Sequence, residues 1–410
     1  MAITYIETPQ LWSPVNNDLI YYVSTNTGGL TNVYLSVYTT DGTTENLVAK
    51  TKLSLDANSR AWCNIRPFLQ SFTKNNQLDF TSPFQTELGN YGFYVNYVVK
   101  VQETSGGGFT SDTARYAFNG QMSFTDFVEF NQNMYRTFNA NSKFLTNSPR
   151  VLNTDWNRTN FLTYIKGSST LNNVRLIAYN SGGTTTQDVT INSVAGIIAF
   201  RAYILAGSLP DWSTINTQWQ NINVFWNAIV DENTEKLEVQ LGYKTGGSFT
   251  PLSEIFTYLK YDYCSKYEKT NVYWQNSLGG WDSYTFNMVK KKRYNIERKQ
   301  ISTNPYIYGA SGYSQHTNNV FNAGNQDYFT NYTEGYLLNT DLLTNEEHTW
   351  MWELIKSHNI YVEQLINNVT YYVPSVIKNT NYEPKITKVD GISNISIELE
   401  FGYDNIKITR

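Results

Sequence analysis

Apolar residues recur at every second position in segment after segment of this chain, and that period commits it to extended strands with one buried face. Val33, Leu35 and Val37 share one side of a predicted strand, and Phe93, Val95, Tyr97, Val99 and Val101 share one side of another. The same alternation gathers Leu237, Val239, Leu241 and Tyr243, then Tyr284, Phe286 and Met288, then Ile395, Ile397, Leu399 and Phe401. Turns able to take positive φ separate these runs at Asp41-Gly42, Gly106-Gly107-Gly108, Gly182-Gly183, Gly246-Gly247 and Asp390-Gly391. The expected fold class is therefore mainly β and multi-domain, with β-sandwich-like domains and a few short helices.

The helical signals are local. Thr344 with Glu347 three residues on forms a capping box, and Trp350, Leu354 and Ile355 supply an apolar stripe, which predicts a helix over 345–356. Ser123 before Phe124, Phe127 and Phe130 suggests a second over about 124–134. Weaker patterns occur around 64–71 and over 251–260, where Thr250 can cap and Pro251 can take the first helical position. Three stretches follow. Residues 1–120 resemble a small sandwich of immunoglobulin or fibronectin type, 121–260 form a middle β region with short helices, and 261–410 form a third with the capped helix. The third carries an inserted loop, 304–336, rich in Tyr, Asn, Gly, Ser and Thr and long enough to be functional.

Composition narrows the function classes. Only 16% of the 410 residues are charged, against about a quarter in an ordinary domain, while there are 10 Trp, 32 Tyr and 21 Phe. Such a chain has the apolar and aromatic surface to fold, so disorder is excluded. A net charge of −4 gives no bulk attraction to nucleic acid or to an anionic membrane. No apolar run reaches the roughly 18 residues of a membrane span, and the start, Met1-Ala-Ile-Thr, lacks a basic leader, so the expected place of synthesis is a cytoplasm, with no membrane insertion. Cys63 and Cys264 stand some 200 residues apart, in separate predicted regions, and read as small buried hydrophobes.

Catalytic and metal signatures are missing. His316, His348 and His358 have no ligand partner at metal spacing, and no nucleophile elbow, phosphate loop or dinucleotide fingerprint occurs. Three acidic pairs, Asp231/Glu232, Glu346/Glu347 and Glu398/Glu400, are explained by a turn, a helix start and the solvent face of an edge-like strand. No cofactor, metal or catalytic residue is assigned. The one dense basic cluster is Lys290-Lys291-Lys292-Arg293. Its structural reading is a solvated strand end, and its functional reading is a patch facing passing DNA or an acidic neighbouring subunit. Between two aromatic segments, Leu278-Gly279-Gly280-Trp281 is a hairpin or bulge prescription flanked by Trp274 and Trp281. Those four residues, Trp274, Gly279, Gly280 and Trp281, read as a fold or interface signature.

Three groups of segments resemble a family of tailed-bacteriophage virion proteins. The opening joins 11–23 (LWSPVNNDLIYYV) to 62–69 (WCNIRPFL). The middle, 264–287 (CSKYEKTNVYWQNSLGGWDSYTFN), is similar to that family's aromatic, Asn, x, Leu, Gly, Gly, aromatic signature, with 296–299 (IERK) downstream. The end joins 352–357 (WELIKS), 376–383 (VIKNTNYE) and 397–403 (IELEFGY). Such proteins are familiar from phages of Bacteroidetes hosts, crAss-like phages included. The resemblance implies a non-enzymatic structural subunit of the virion tail, either a ring of the tail barrel or collar or an adaptor that carries fibres. Its implied partners are further copies of itself in a sixfold or twelvefold ring and neighbouring tail, portal-proximal or fibre proteins. A ring needs two different complementary faces per subunit, and depletion of charge suits such interfaces. The rival expectation is a receptor- or glycan-binding fibre or baseplate protein that uses its aromatic rings.

Overall fold

The computed structural model describes residues 3–40, 43–73, 84–85, 94–104, 106–156, 158–167, 170–171, 173–190, 197–203, 233–261, 266–303, 306–309, 312–318, 324–367, 369–379, 394–403 and 406–409. The fold is mainly β, as the alternation requires. Two compact units are present. The first comprises Met1–Tyr263, Tyr273–Thr285 and Thr349–Ser357, and the second comprises Cys264–Val272, Phe286–His348 and His358–Arg410. The stretch 261–410 is thus not one body, because its central hairpin and the end of its helix belong with the first unit.

In the first unit, the N-terminal 120 residues form a sandwich. One sheet runs Ile3–Glu7, Ile20–Thr25, Arg60–Asn64, and the other runs Trp12–Pro14, Arg115–Phe118, Tyr94–Gln102, Asn32–Thr40, Glu45–Ser54. Tyr21, Val23 and Cys63 from the first layer meet Val33, Leu35, Val37, Tyr97, Val99 and Val101 from the second in one buried core. Each such aliphatic side chain contributes roughly 1.5–3 kcal/mol of burial. Cys63 is a small buried hydrophobe as read; Cys264 lies outside the described residues, as do the turns Asp41-Gly42 and Asp390-Gly391.

A second pair of sheets follows. One runs Val151–Thr154, Phe256–Lys260, Thr234–Thr245, Asn173–Asn180, Gly183–Thr190, with Ser248–Pro251 on Thr234–Thr245, and the other runs Thr159–Ile165, Ile197–Tyr203, Phe84–Gln85. The hairpin at Gly246-Gly247 has φ of +58° and +90°, the left-handed pair that a two-residue turn between twisted strands needs. The helix expected over 251–260 is a pair of strands. Phe256 and Tyr258 alternate into the core, and Phe256–Lys260 is hydrogen-bonded on both edges, parallel to Val151–Thr154 and antiparallel to Thr234–Thr245. Two ladders outweigh a local N-cap pattern. The helix expected at 124–134 stops at Glu129, where Phe130 turns extended, and a 3₁₀ turn follows at Gln132–Met134.

In the second unit an antiparallel sheet runs Ile360–Ile366, Val369–Ile377, Ser396–Phe401, Gly324–Asn339, Lys291–Thr303, with Ile406–Thr409 also on Gly324–Asn339. Most of the expected loop 304–336 is strand, namely Tyr306–Gly309, Gly312–Asn318 and most of Gly324–Asn339. Its polar side chains hid the period, because an alternation signal needs one dry face. Ser396–Phe401, which carries Glu398 and Glu400, is an interior strand rather than an edge. The helix Asn345–Lys356 has the expected bounds, and Thr344 and Glu347 cap each other reciprocally: Glu347 N–H donates to Thr344 Oγ1 at 3.2 Å, and Thr344 N–H donates to Glu347 Oε2 at 2.8 Å. Among the described residues no helix is long and apolar enough to cross a membrane.

Candidate functional site: the Asn276 hairpin and the Glu353 cleft

Asn276 organises the turn between Thr270–Gln275 and Trp281–Phe286. Its Oδ1 accepts from Leu278 N–H at 3.1 Å and Gly280 N–H at 2.8 Å, and its Nδ2 donates to the Leu145 carbonyl at 2.9 Å. Its main chain closes the same loop, with its N–H donating to Gly280 O and its carbonyl accepting from Gly279 N–H. Asn is required at this position because both an acceptor and a donor are used at one buried point. The glycines answer two separate demands. Gly279 sits at φ +79°, and a Cβ there would lie 2.7 Å from Asn119 O. A Cβ on Gly280 would lie 2.3 Å from Leu145 O. Gln275 Nε2 donates to Asn119 O and Gln121 N–H donates to Ser277 O, so the turn is held by the chain on two sides, at 119–121 and at 145.

Trp274 and Trp281 are 0% and 1% exposed, so neither offers a face to a sugar ring. Trp274 packs on Trp350 with ring centroids 5.2 Å apart, and Tyr284 meets the same Trp350 edge-on at 6.2 Å. The four signature residues are brought together, and the arrangement is one of packing and backbone geometry.

Two carboxylates that sequence reasoning passed over complete this centre. Asp282, 5% exposed, accepts from Thr146 Oγ1 and from Trp350 Nε1, both at 2.8 Å. Burial, followed by the nearby charge of Glu353, pushes its carboxyl up to about 7, while bonds from Trp350, Thr146 and Asn276 oppose the rise. Glu353 is 9% exposed. Its Oε1 accepts from Ser277 Oγ at 2.6 Å and Asn147 Nδ2 at 2.7 Å, while its Oε2 has no hydrogen-bond partner. Burial raises its pKa too, against the pull of Ser277, Asn147 and Lys356. The sequence did hold a signal: Glu353 falls between Trp350 and Leu354, on the stripe that a helix buries. Glu353 stands in the wall of a cleft of about 490 Å³, to which Asp126, Glu129, Phe130, Tyr135 and Trp352 also contribute.

The basic run lies in the second unit and is split. Lys290 precedes the strand; its Nζ lies 2.7 Å from Glu268 Oε2 and 4.8 Å from the centre of the Tyr336 ring. Arg293 Nη1 is 2.5 Å from Glu398 Oε2. Lys291 and Lys292 are exposed and make no ion pair among the described residues. Two free cations make a small fraction of the six to ten phosphate contacts typical of a DNA binder. Among the described residues no group of three or more His, Cys, Asp or Glu side chains could hold a metal ion. Asp231 and Glu232 lie outside the described residues, and Glu346 and Glu347 occupy the first turn of their helix.

No family model matches the chain, and no curated protein matches it. Among solved structures it is similar to two of the full extracellular region of plexin A4, spanning domains 1 to 8 and domains 1 to 10. Each is 11% identical and covers 98% of this chain, with TM-scores of 0.19 and 0.18. The chain covers 40% and 31% of those chains, less than half of either. Superposition at that level supports no statement about fold or function.

Proposed function

We propose that this chain is a structural subunit of a bacteriophage tail, a ring or adaptor that works by assembling with copies of itself and with neighbouring tail proteins. The sequence resemblance supplies the tail, and one feature of the fold supplies the reason to assemble. The strand Lys291–Thr303 is the end strand of its sheet, paired along its length with Gly324–Asn339, and every residue from Lys291 to Ser302 is exposed. Tyr294 and Ile296, each 54% exposed, share a face with the half-buried Tyr332 and Tyr336 across the ladder. A long ribbon with aromatic and aliphatic residues in water on a sheet edge is stabilised when a neighbouring protein covers it.

The test is assembly state. Sedimentation of the purified chain should show a closed oligomer that Tyr294→Glu with Ile296→Glu reduces to monomer, with unchanged far-UV circular dichroism. A chain that stays monomeric at high concentration and is present at one to three copies per virion would overturn the ring reading.

A further inference from the structure

The open side of Lys291–Thr303 has a chemistry of its own. We infer that it is a docking site for an acidic, extended segment of a different protein, which adds to the sheet as a further strand. Among the described residues no strand pairs with this side, so its backbone N–H and C=O groups are available for a ladder. Nine residues, Lys291 to Lys299, pair with Gly324–Asn339 before any register shift, which leaves a regular template on the open side. Neither Pro nor Gly interrupts it. Charge selects the partner. Five cations, Lys291, Lys292, Arg293, Arg298 and Lys299, stand against one acid, Glu297, for a net +4 over this span. Arg293 is taken by Glu398, while Arg298 and Lys299 have only loose, exposed contacts at 3.7 Å to Asp327 and 3.9 Å to Glu297, of a kind worth little. Two copies of this edge side by side would set +4 against +4, so its cations reject a second copy and admit acids. Self-assembly through the ribbon is left to the face of Tyr294 and Ile296, because strand side chains stand perpendicular to the plane in which an edge pairs. Between the basic groups at 291–293 and 298–299, those two exposed residues also flank the middle of an added strand. Phosphates would use the cations alone, whereas an acidic strand with an aliphatic centre uses cations, apolar pair and backbone together.

The inference deepens the tail reading and rests on it only for calling the partner a tail protein. The probe is a fluorescein-labelled peptide, Glu-Glu-Val-Thr-Val-Thr-Val-Glu-Glu, whose symmetric charge suits either strand direction. It is titrated into the full chain and read by anisotropy. Saturable binding is expected, with new protection from hydrogen exchange confined to 291–299. Lys291→Glu with Lys292→Glu and Lys299→Glu, all exposed, are three reversals of two charges each and take the span from +4 to −2. They should weaken the peptide about tenfold and pass the preference to Lys-Lys-Val-Thr-Val-Thr-Val-Lys-Lys. The acidic peptide with its five central residues replaced by Pro keeps its charge, cannot build the ladder, and should not bind. A chain that stays monomeric yet binds the acidic peptide would remove the ring reading and leave this inference standing, and an oligomer that ignores the peptide would do the reverse. No saturable binding, equal binding of the Pro peptide, binding indifferent to the three reversals, tighter binding of a short DNA duplex, or protection outside 291–299 would overturn the inference.

Discussion

Replacing Asp282 with Asn asks whether the centre of the first unit carries a buried acid at the expense of stability. In the unfolded chain this carboxyl ionises near its ordinary value of 3.8, and in the folded protein burial pushes it up to about 7. A raised carboxyl favours folding most below pH 3.8, and that contribution is lost as pH rises through 7. Roughly three units at about 1.36 kcal/mol each make ionised Asp282 cost up to ~4 kcal/mol at pH 8. Asn keeps the shape. Its Oδ1 can accept from Trp350 Nε1, and its amide can donate to Thr146 Oγ1, which as a hydroxyl has a second lone pair beside the one taken by Ser148 N–H. Reorganising that contact costs about 1 kcal/mol, so the variant should be more stable than the parent by ~3 kcal/mol at pH 8. At pH 5 the parent is mostly protonated when folded, and the gap should narrow by ~2.5 kcal/mol. Urea denaturation followed by tryptophan fluorescence at both pH values measures the difference. The outlying acids titrate alike in both proteins and cancel, whereas Glu353, relieved of the Asp282 charge, ionises more readily in the variant, which adds to the variant's gain at pH 8. A variant less stable at pH 8, with a pH profile parallel to the parent, would refute the reasoning.

The hairpin gives two further predictions, both read by thermal denaturation. Gly280→Ala places a Cβ against the Leu145 carbonyl and should cost about 3 kcal/mol or more, while Gly279→Ala adds left-handed strain of about 1–2 kcal/mol to its approach to Asn119 O. A mild effect at Gly280 would show that the turn can slide. Asn276→Ala leaves Leu278 N–H, Gly280 N–H and Leu145 O unpartnered at about 1–3 kcal/mol each, so a loss near that of Gly280→Ala is expected; a loss below about 1 kcal/mol would mean that water replaces the side chain.

Where one face of a strand is dry, the sequence displayed it. Val33, Leu35 and Val37, and Ile395, Ile397 and Leu399, are buried as their spacing required. Short-range chemistry was equally legible at Thr344 and Glu347, because a capping box is complete within four residues. Two kinds of element escaped. Phe256–Lys260 follows a good helix start and is a strand only because Val151–Thr154 and Thr234–Thr245 offer it two ladders, which no local window contains. Of Lys291–Thr303 only the start was legible, as the strand end read at 290–293; its remainder and Gly324–Asn339 are exposed or half-buried over most of their length, so their residue pattern carries no contrast between faces.

The candidate site shows the same division at finer scale. Gly279 and Gly280 were readable as a turn because their need for freedom is intrinsic to the backbone. The partners that make the turn a junction, Asn119 O and Leu145 O, stand more than a hundred residues away and belong to main chain, which leaves no residue-type signature. Asp282 and Glu353 were hidden for a different reason. Each sits in a stretch whose aromatic residues account for its burial, and an acid among them reads as solvent-facing until the fold shows it enclosed. Such a pair raises its own pKa, couples through space, and leaves one oxygen of Glu353 unsatisfied. Both carboxylates brace the turn from outside its own ring of bonds: Glu353 accepts from Ser277 Oγ, and Asp282 ties the strand that follows to Thr146 and Trp350.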